Sequence, residues 1–330
     1  MTGRKTTACA RRNYDVVALG ELLIDFTEAG TGPQGNPLWE ANPGGAPCNV
    51  LAMLAKLGHR TAFIGKVGQD VYGEQLRNAA AEAGICTDAL WTDPDVHTTL
   101  AVVHRRADGD RDFSFYRNPG ADMMLRKDEV PPELLSDTRI FHFGTLSMTH
   151  RGVRGATKAA VRMARKAGAL LSFDPNLRPP LWASPEDART CIDWGLQHCD
   201  ILKISDSELF FMTGETDFDR GAAMLQERYP KIRLMNVTAG PDGSHCYYGT
   251  DKVFVPAFRL GGTVETTGAG DTFCACVLHH VLASGLEHLL MEDRVREMLR
   301  FANAAAYLVT TKKGALRSMP DRAEIERILE

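Results

Sequence analysis

The stretch Thr266-Thr267-Gly268-Ala269-Gly270-Asp271-Thr272-Phe273 opens a long apolar segment that has the pattern of a helix. Glycine lets backbone N–H groups approach a phosphate closely, and a helix N-terminus adds oriented N–H groups and a positive dipole end. The Asp271 carboxylate would face the same place, where it could accept a proton from an alcohol during phosphoryl transfer. On spacing alone, an ordinary glycine–aspartate helix cap is equally compatible.

Two other nucleotide-binding motifs are missing or incomplete. The chain contains no GxxxxGK[ST] sequence, so it has no Walker A loop. Gly268-x-Gly270 is followed by Phe273 where a dinucleotide fingerprint needs a third glycine, and no strand is predicted directly before it. The sequence therefore disfavours an NAD-binding oxidoreductase.

A second glycine pair opens another predicted helix, in the stretch Asn42-Pro43-Gly44-Gly45-Ala46-Pro47-Cys48-Asn49. The apolar periodicity predicts a helix over Ala46–Leu57, so Asn49 projects from its first turn. An amide at this place could bind a sugar hydroxyl as donor and as acceptor. A simple loop-to-helix entry, with proline near the first helical position, explains the same spacing equally well.

Short apolar, β-branched segments alternate with helical patterns along most of the chain. This alternation predicts an α/β fold in which a mostly parallel sheet carries helices on both faces. The predicted strands are Asp15–Leu19, Thr61–Gly65, Ile140–Phe143, Ala169–Phe173, Ile201–Ile204, Ile232–Thr238, Ser244–Tyr248 and Lys252–Pro256. The other predicted helices are Glu74–Ala83, Val153–Ala167, Pro185–His198, Phe218–Arg228, Asp271–Ala283, Glu292–Thr310 and Asp321–Leu329.

One region breaks the alternation. Thr98–His104 and Arg111–Tyr116 alternate as strands around the turn cluster Ala107-Asp108-Gly109-Asp110, which predicts an inserted antiparallel hairpin. The segment Gly30–Gly45 is rich in glycine, proline and asparagine, and we expect a long loop there that belongs to a lid. The pattern thus predicts an inserted hairpin and a long, lid-like loop within a single domain.

The composition excludes several classes of protein. Among 330 residues, 44% are hydrophobic and 24% charged, as in soluble globular proteins rather than collagens or disordered chains. A net charge of −4 lacks the basic excess of nucleic-acid-binding proteins. Apolar runs stay short of the roughly 18 residues that a membrane span needs, and the eight cysteines form no CxxC pair. We therefore expect a cytoplasmic protein without a nucleic-acid or membrane partner.

The two glycine stretches together resemble the two signature motifs of the ribokinase-like (PfkB) carbohydrate kinases, and the resemblance extends over roughly Asp15 to Pro320. Gly20–Phe26 is similar to the family's first strand with its sugar-contacting acid. The segments Phe115-Tyr116-Arg117, Ala121-Asp122 and Asp174–Trp182 resemble the fructokinase and ketodeoxygluconate kinase branch. The resemblance implies a ribokinase-like three-layer α/β/α fold with a small inserted β lid.

The resemblance also implies residue roles. Asp271 would be the catalytic base, and Gly268, Ala269 and Gly270 would form the anion hole for the transferring phosphoryl group. The implied sugar-binding residues are Asp25, Gly44, Gly45, Asn49 and Arg178. The implied ATP-binding residues are Lys203, Thr238, Gly240, Gly243 and Asn303.

Two positions depart from the family pattern. Ser205-Asp206-Ser207-Glu208 stands where Asn-x-x-Glu is usual, and Glu208 would help to organise magnesium indirectly. Glu265 replaces the usual aspartate of a monovalent-cation site, and its extra methylene could reshape or fill that site. The implied members of this site are Glu265, Thr267, Val309, Lys312, Gly314 and Ser318.

The expected function is that of an ATP-dependent sugar kinase with Mg²⁺ and a possible K⁺ requirement, most favourably a fructokinase. The alternatives are 2-keto-3-deoxygluconate kinase and, with less support, ribokinase or nucleoside kinase. A sugar-binding regulator without activity would be expected to lose Asp271, which is present. We further expect a flexible tail over residues 1–13, one kinase domain over 14–330 with lid segments near 27–43 and 97–120, and a homodimer formed through the lid.

Overall fold

The computed structural model describes residues 14–105 and 111–330. The predicted tail over residues 1–13 and the predicted hairpin turn at 106–110 lie outside the described residues. The strands are β1 Tyr14–Leu19, β2 Leu23–Thr31, β3 Pro37–Gly44, β4 Thr61–Gly68, β5 Ile85–Asp93, β6 Leu100–Arg105, β7 Arg111–Tyr116, β8 Thr138–Phe143, β9 Leu170–Phe173, β10 Ile201–Ser205, β11 Leu234–Thr238, β12 Ser244–Tyr248 and β13 Asp251–Val255.

The helices flank these strands in the chain. They are α1 Ala46–Lys56, α2 Val71–Glu82, α3 Pro132–Leu135, α4 Arg151–Lys166, α5 Pro185–His198, α6 Asp206–Thr213, α7 Phe218–Arg228, α8 Ala269–Ser284, α9 Leu286–Leu289, α10 Glu292–Thr310 and α11 Arg322–Leu329.

A nine-stranded sheet organises the domain, with the order β13-β12-β11-β10-β9-β8-β1-β4-β5. All neighbours from β11 to β5 pair in parallel, and β12 runs antiparallel to β11 and β13. In central strand β1, Val16 and Ala18 pack towards α1, α8 and α10, while Val17 and Leu19 pack towards α4 and α5. Because both faces are buried, the strands are almost continuously apolar. The predicted parallel sheet with helices on both faces is confirmed.

A second, four-stranded sheet has the order β3-β2-β6-β7. It is the small inserted sheet that the sequence predicts, but the expected loop over Gly30–Gly45 is wrong for most of its length. The segment Pro37–Gly44 is strand β3, because its backbone pairs antiparallel with β2, for example at Asp25 opposite Asn42. Proline, glycine and asparagine disfavour a strand by propensity, and pairing across the sheet overrides that preference here.

Other differences concern boundaries and short elements. The helix expected at Glu74 begins at Val71, because the Asp70 side chain accepts a hydrogen bond from the Gly73 N–H group and caps it. Helix α8 begins at Ala269 rather than Asp271, which puts Asp271 in the first turn. Strand β5 and helix α6 were not predicted.

A histidine pair lies at the amino ends of the central strands. His59 Nε2 is 2.7 Å from His279 Nδ1, and Arg322 Nη2 is 2.7 Å from His279 Nε2. Since arginine can only donate, His279 accepts at Nε2 and donates from Nδ1 to His59. Burial, with smaller contributions from His59, His280 and Arg322, lowers the pKa of His279 to about 4.

We expect His279 to lower the free energy of unfolding as the pH falls from about 6.5 towards 4, a contribution opposite in sign to that of the buried carboxyl groups of the cleft. In this range the unfolded chain binds a proton at position 279, whose ordinary pKa is about 6.5, whereas the folded protein excludes it. Urea unfolding at pH 7.5 and pH 5, for the wild type and His279→Gln, measures this. The variant should lose less stability on acidification, and equal losses would contradict the prediction.

Candidate active site

A cleft of about 830 Å³ lies between the carboxyl ends of the parallel strands and the small sheet. Ligands of open α/β sheets bind at this edge. Both glycine-rich stretches meet there, although more than two hundred residues separate them in the chain. The predicted site residues that line the cleft are Asp25, Gly45, Asn49, Arg178, Lys203, Glu208, Thr238, Gly240, Thr267, Gly268, Gly270 and Asp271.

The N-terminus of α8 points into this cleft. Thr272 donates the first intrahelical hydrogen bond, to the Gly268 carbonyl at 2.8 Å, so the preceding N–H groups lie at the open end of the helix. Gly268 has φ of 81°, a left-handed conformation that favours glycine. A Cβ at this position would also lie 2.9 Å from the Ala315 side chain. The Ala269 N–H group also donates a long hydrogen bond of 3.3 Å to the Thr266 carbonyl. The predicted anion hole at Gly268, Ala269 and Gly270 thus lies at an open helix end, which suits a phosphate.

Asp271 connects the two motifs. Its Oδ2 atom accepts a hydrogen bond of 2.8 Å from Asn49 Nδ2, in the first turn of α1. Burial raises the pKa of Asp271 to about 6, and the hydrogen bond from Asn49 partly offsets that rise. A carboxylate with this pKa is mostly ionised at neutral pH. Because its pKa lies close to neutral pH, it also accepts a proton efficiently.

The part of the cleft that is predicted to bind the sugar combines charged side chains with a polar atom that has no hydrogen-bond partner. Burial raises the pKa of Asp25 to about 7, against the opposing effect of Arg178. The Oδ1 atom of Asn49 is buried and has no hydrogen-bond partner among the described residues. Gly44 lies against Asp25, and a Cβ there would meet the carboxylate at 2.5 Å. Such groups suit a ligand with several hydroxyl groups.

Glu21 is a buried acid near the sugar side that the sequence reasoning did not assign. Its Oε1 atom accepts a 3.0 Å hydrogen bond from the Ala46 N–H group, and burial raises its pKa to about 7. This bond fixes the turn at Gly45, whose φ of 134° favours glycine. The only sequence signal was the position of Glu21 within the segment Gly20–Phe26.

Two other family-like segments meet in a buried ion pair. Arg117 Nη2 lies 2.6 Å from Asp122 Oδ2, and Asp122 also accepts a 2.5 Å hydrogen bond from Thr99. Arg117 donates further to the Leu146 carbonyl, at 3.0 Å. These contacts attach the end of β7 to the main domain.

Only some of the predicted ATP-binding residues line the cleft. Thr238 and Gly240 line it, whereas Gly243 lies behind, where a Cβ would meet the Val255 carbonyl at 2.3 Å. Asn303 is buried, accepts from Ser244 Oγ at 2.9 Å and donates to the Val255 and Pro256 carbonyls at 3.0 and 3.2 Å. Asn303 therefore fixes the loop after β13, and its direct contact with ATP stays a prediction.

Glu208 connects the loop after β9 with the start of α6. Its Oε1 atom accepts from the Leu177 N–H group at 2.7 Å, and Oε2 accepts from the Ser205 N–H group at 2.8 Å. Ser205 Oγ in turn accepts from the Glu208 N–H group, which completes a capping box at the start of α6. The unusual Ser205 thus serves as a helix cap.

The residues of the predicted cation site form one loop cluster. Glu265 accepts a 2.5 Å hydrogen bond from the Thr267 hydroxyl and a 3.2 Å bond from the Gly314 N–H group. Ser318 donates to the Lys313 carbonyl, Val309 is buried in α10, and the Lys312 side chain pairs with Glu324 at 3.1 Å. The longer Glu265 side chain thus reaches across the cluster and bonds to the opposite loop.

The model of the pfkB family of carbohydrate kinases matches residues 13–322, so the chain belongs to this family. A probable fructokinase-2 from Arabidopsis thaliana is 42% identical over 313 residues, which cover 94% of each chain. The fructokinase from Xylella fastidiosa with bound ATP superposes with a TM-score of 0.86 and 32% identity, covering 96% of this chain and 98% of the other. These similarities confirm a ribokinase-like fold and a phosphotransferase with an alcohol acceptor.

A third relative is a double mutant of the fructokinase from Vibrio cholerae O395, in a form with bound fructose, ADP and potassium ion. It superposes with a TM-score of 0.85 at 28% identity and covers 97% of this chain and 100% of the other.

We expect Asp271→Asn to stop the chemical step without unfolding the protein. The amide keeps the shape and can still bond to Asn49, but it cannot accept the proton of the sugar hydroxyl. General-base catalysis contributes about 10²–10⁴-fold, so kcat should fall by at least about 100-fold while ATP affinity changes little. Steady-state kinetics and ATP calorimetry measure both, and a kcat within about tenfold of wild type would require another base.

We expect potassium activation to be weak, because Glu265 already bonds across the predicted cation site. Activity is measured in potassium, sodium and tetramethylammonium chloride at equal ionic strength, for the wild type and Glu265→Asp. The shorter acid should increase the activation by potassium. Strong activation of the wild type that Glu265→Asp does not exceed would contradict this.

Proposed function

We propose that the protein is an ATP-dependent fructokinase, which transfers the γ-phosphate of ATP to a hydroxyl group of fructose. The observation that carries the proposal is the hydrogen bond between Asp271 and Asn49 at the bare end of α8. It supports the proposal because it brings Asp271, the N-terminus of α8 and Asn49 together at one point of the cleft. The names of the similar fructokinases support fructose as the sugar.

In this proposal the sugar lies between Asp25, Gly44, Gly45, Asn49 and Arg178, under the small sheet as a lid. Asp271 accepts the hydroxyl proton while the oxygen attacks the γ-phosphorus and the bond to ADP breaks. The N–H groups at Gly268, Ala269 and Gly270 stabilise the negative charge on the transferring group. The proposed ATP-binding residues are Lys203, Thr238, Gly240, Gly243 and Asn303.

ATP would bring Mg²⁺ with it. Among residues 14–105 and 111–330, no group of three or more histidine, cysteine or acidic side chains could hold a metal ion alone. Magnesium usually keeps several waters and binds substrate phosphates with one or two carboxylates, which fits a cleft bordered by Glu208. Both Glu208 oxygens accept backbone hydrogen bonds, so its proposed role is indirect. A bound K⁺ would belong to the cluster of Glu265, Thr267, Val309, Lys312, Gly314 and Ser318.

One observation favours a second candidate substrate, 2-keto-3-deoxygluconate. Arg178 lines the sugar side of the cleft, and a guanidinium group can pair with the carboxylate of an acid sugar. Asp25 close by competes for the same charge, which favours a neutral sugar.

We expect a higher kcat/KM for fructose than for ketodeoxygluconate, ribose or nucleosides, measured by coupled ADP release. Arg178→Gln provides the internal comparison. It should lower kcat/KM for the acid sugar more than for fructose, because only the acid sugar loses an ion pair. A higher wild-type kcat/KM for ketodeoxygluconate would move the assignment to that substrate.

We also propose a cytoplasmic homodimer that forms through the lid. Within the described residues, no helix is both long and apolar enough to cross a membrane. The lid strands carry Leu38 and Tyr116 with 49% and 65% of their surface exposed. Leu38 lies on edge strand β3 and Tyr116 on edge strand β7, and an uncovered sheet edge is a place where a second chain can pair.

Sedimentation equilibrium should give twice the chain mass for the wild type. Leu38→Lys places a charge on the proposed interface and should shift the protein towards monomer with an unchanged thermal midpoint. Met291→Lys, which alters a similarly exposed apolar residue just before α10, is the control and should remain dimeric. A monomeric wild type would contradict the proposal.

A further inference from the structure

Lys203 and Asp174 form a buried ion pair at the phosphate side of the cleft. Lys203 Nζ lies 3.0 Å from Asp174 Oδ2 and 3.2 Å from Oδ1. Only 9% and 3% of the two side chains are exposed. Lys203 belongs to β10, and Asp174 directly follows the neighbouring strand β9.

The ammonium group lies against the first turn of α8. A Cβ on Gly270 would be 3.0 Å from Lys203 Nζ and 3.4 Å from Cε, so the missing side chain at Gly270 provides the space for the lysine. Lys203 also lines the same cleft as Asp271. A positive charge and the N–H groups of a helix end are therefore directed at one place.

Lys203 keeps its charge although it is buried. Burial alone would lower the pKa of this lysine, but the Asp174 and Glu208 carboxylates outweigh that effect and raise it above its ordinary value. Asp271 contributes in the same direction. Without such neighbours, a buried lysine tends to lose its proton.

We propose that Lys203 is a catalytic residue whose ammonium group binds an oxygen of the transferring phosphoryl group, and that Asp174 is a positioning residue that keeps Lys203 charged and directed at Gly270. The inference rests on the kinase activity proposed above. As the sugar oxygen bonds to the γ-phosphorus and the bond to ADP breaks, Asp271 takes the hydroxyl proton. Lys203 donates hydrogen bonds and keeps all of its protons.

The competing explanation is an ion pair that only stabilises the fold, and the chain offers a matched control for it. Lys66 in β4 lies 2.7 Å from Glu129, and the side chains are 3% and 9% exposed. Neither residue lines the cleft. Removing one partner of a buried pair costs stability in either place, so stability alone cannot distinguish the two explanations.

The first experiment compares Lys203→Met with Lys66→Met, using the best acceptor sugar of the wild type. Loss of one donor to a developing charge costs about 10²–10³-fold in kcat, and we expect this of Lys203→Met, with KM for the sugar nearly unchanged. Lys66→Met should lower the thermal midpoint and keep kcat. A folded Lys203→Met enzyme with kcat within about threefold of wild type, far below that range, would overturn the proposal.

The double variant Asp174→Asn with Lys203→Met leaves no unpaired buried charge, which protects the test if the single variant does not fold. Its kcat should be as low as we expect for Lys203→Met, and a kcat near wild type would overturn the proposal. The acceptor is chosen by activity, so a wild type that prefers another sugar changes the proposed substrate and leaves this test valid.

The variant Asp174→Asn tests the positioning role of Asp174 through the pH dependence of kcat. The titratable groups facing Lys203 are Asp174, Glu208, Asp271, His142 and Cys274. Burial lowers the pKa of His142 to about 3 and raises that of the Cys274 thiol, so both stay neutral near pH 7. Without the Asp174 charge the pKa of Lys203 should fall, and kcat should decrease between pH 7 and 9 only in the variant. A variant profile parallel to wild type would overturn the role of Asp174.

Chemical rescue supplies a readout that a structural lysine would not give. In Lys203→Ala, added ethylammonium should restore part of kcat with saturation, while Lys66→Ala should not respond. If ethylammonium fails to raise kcat of a folded Lys203→Ala enzyme, Lys203 does not act through its charge and the proposal is overturned.

Discussion

The first turn of α8 has to remain uncovered, because its N–H groups can bind a phosphate only where no side chain is in the way. Several contacts meet this constraint together. Gly268 adopts the left-handed conformation against Ala315, and Gly270 leaves room for Lys203. Glu265 bonds to Gly314, which fixes the segment just before the turn. The segment therefore depends on packing from a distant loop as much as on its own glycines.

The cleft contains several buried acidic side chains, and burial makes their ionised form unfavourable. Burial raises the pKa of Glu21 and Asp25 to about 7 and that of Asp271 to about 6. The folded protein then binds protons that the unfolded chain has already lost, so these groups make folding less favourable as the pH rises through this range. Such a cost is typical of sites where function requires ionised groups away from water. The Lys203–Asp174 pair avoids this cost in folding free energy, because its two opposite charges are buried together.

The sequence predicted the layers well and the local details less well. The alternation of apolar strand segments with helical segments predicted the parallel sheet. A strand that is buried on both faces has to be apolar throughout, as Val16, Val17, Ala18 and Leu19 are. Strand β3 could not be predicted, because its hydrogen bonds come from β2 and its composition favours a loop. The pairing of Lys203 with Asp174 was equally hidden, since it depends on the register of β9 and β10. Motif resemblance indicated Asp271 and Asn49, but only the fold shows that they bond to each other.

The lid and the first turn of α8 are linked through a short series of contacts. Asn42, on β3, donates to Thr27 on β2 at 2.9 Å and so holds the two lid strands together. Its Oδ1 atom faces Gly314, where a Cβ would be 3.3 Å away. Gly314 bonds to Glu265, and Glu265 bonds to Thr267, which adjoins Gly268. Asn42 thus approaches Gly314 closely, and the later steps are hydrogen bonds. We therefore expect a shift of the lid to move the anion-binding turn, and the unusual Glu265 lies in the middle of this connection.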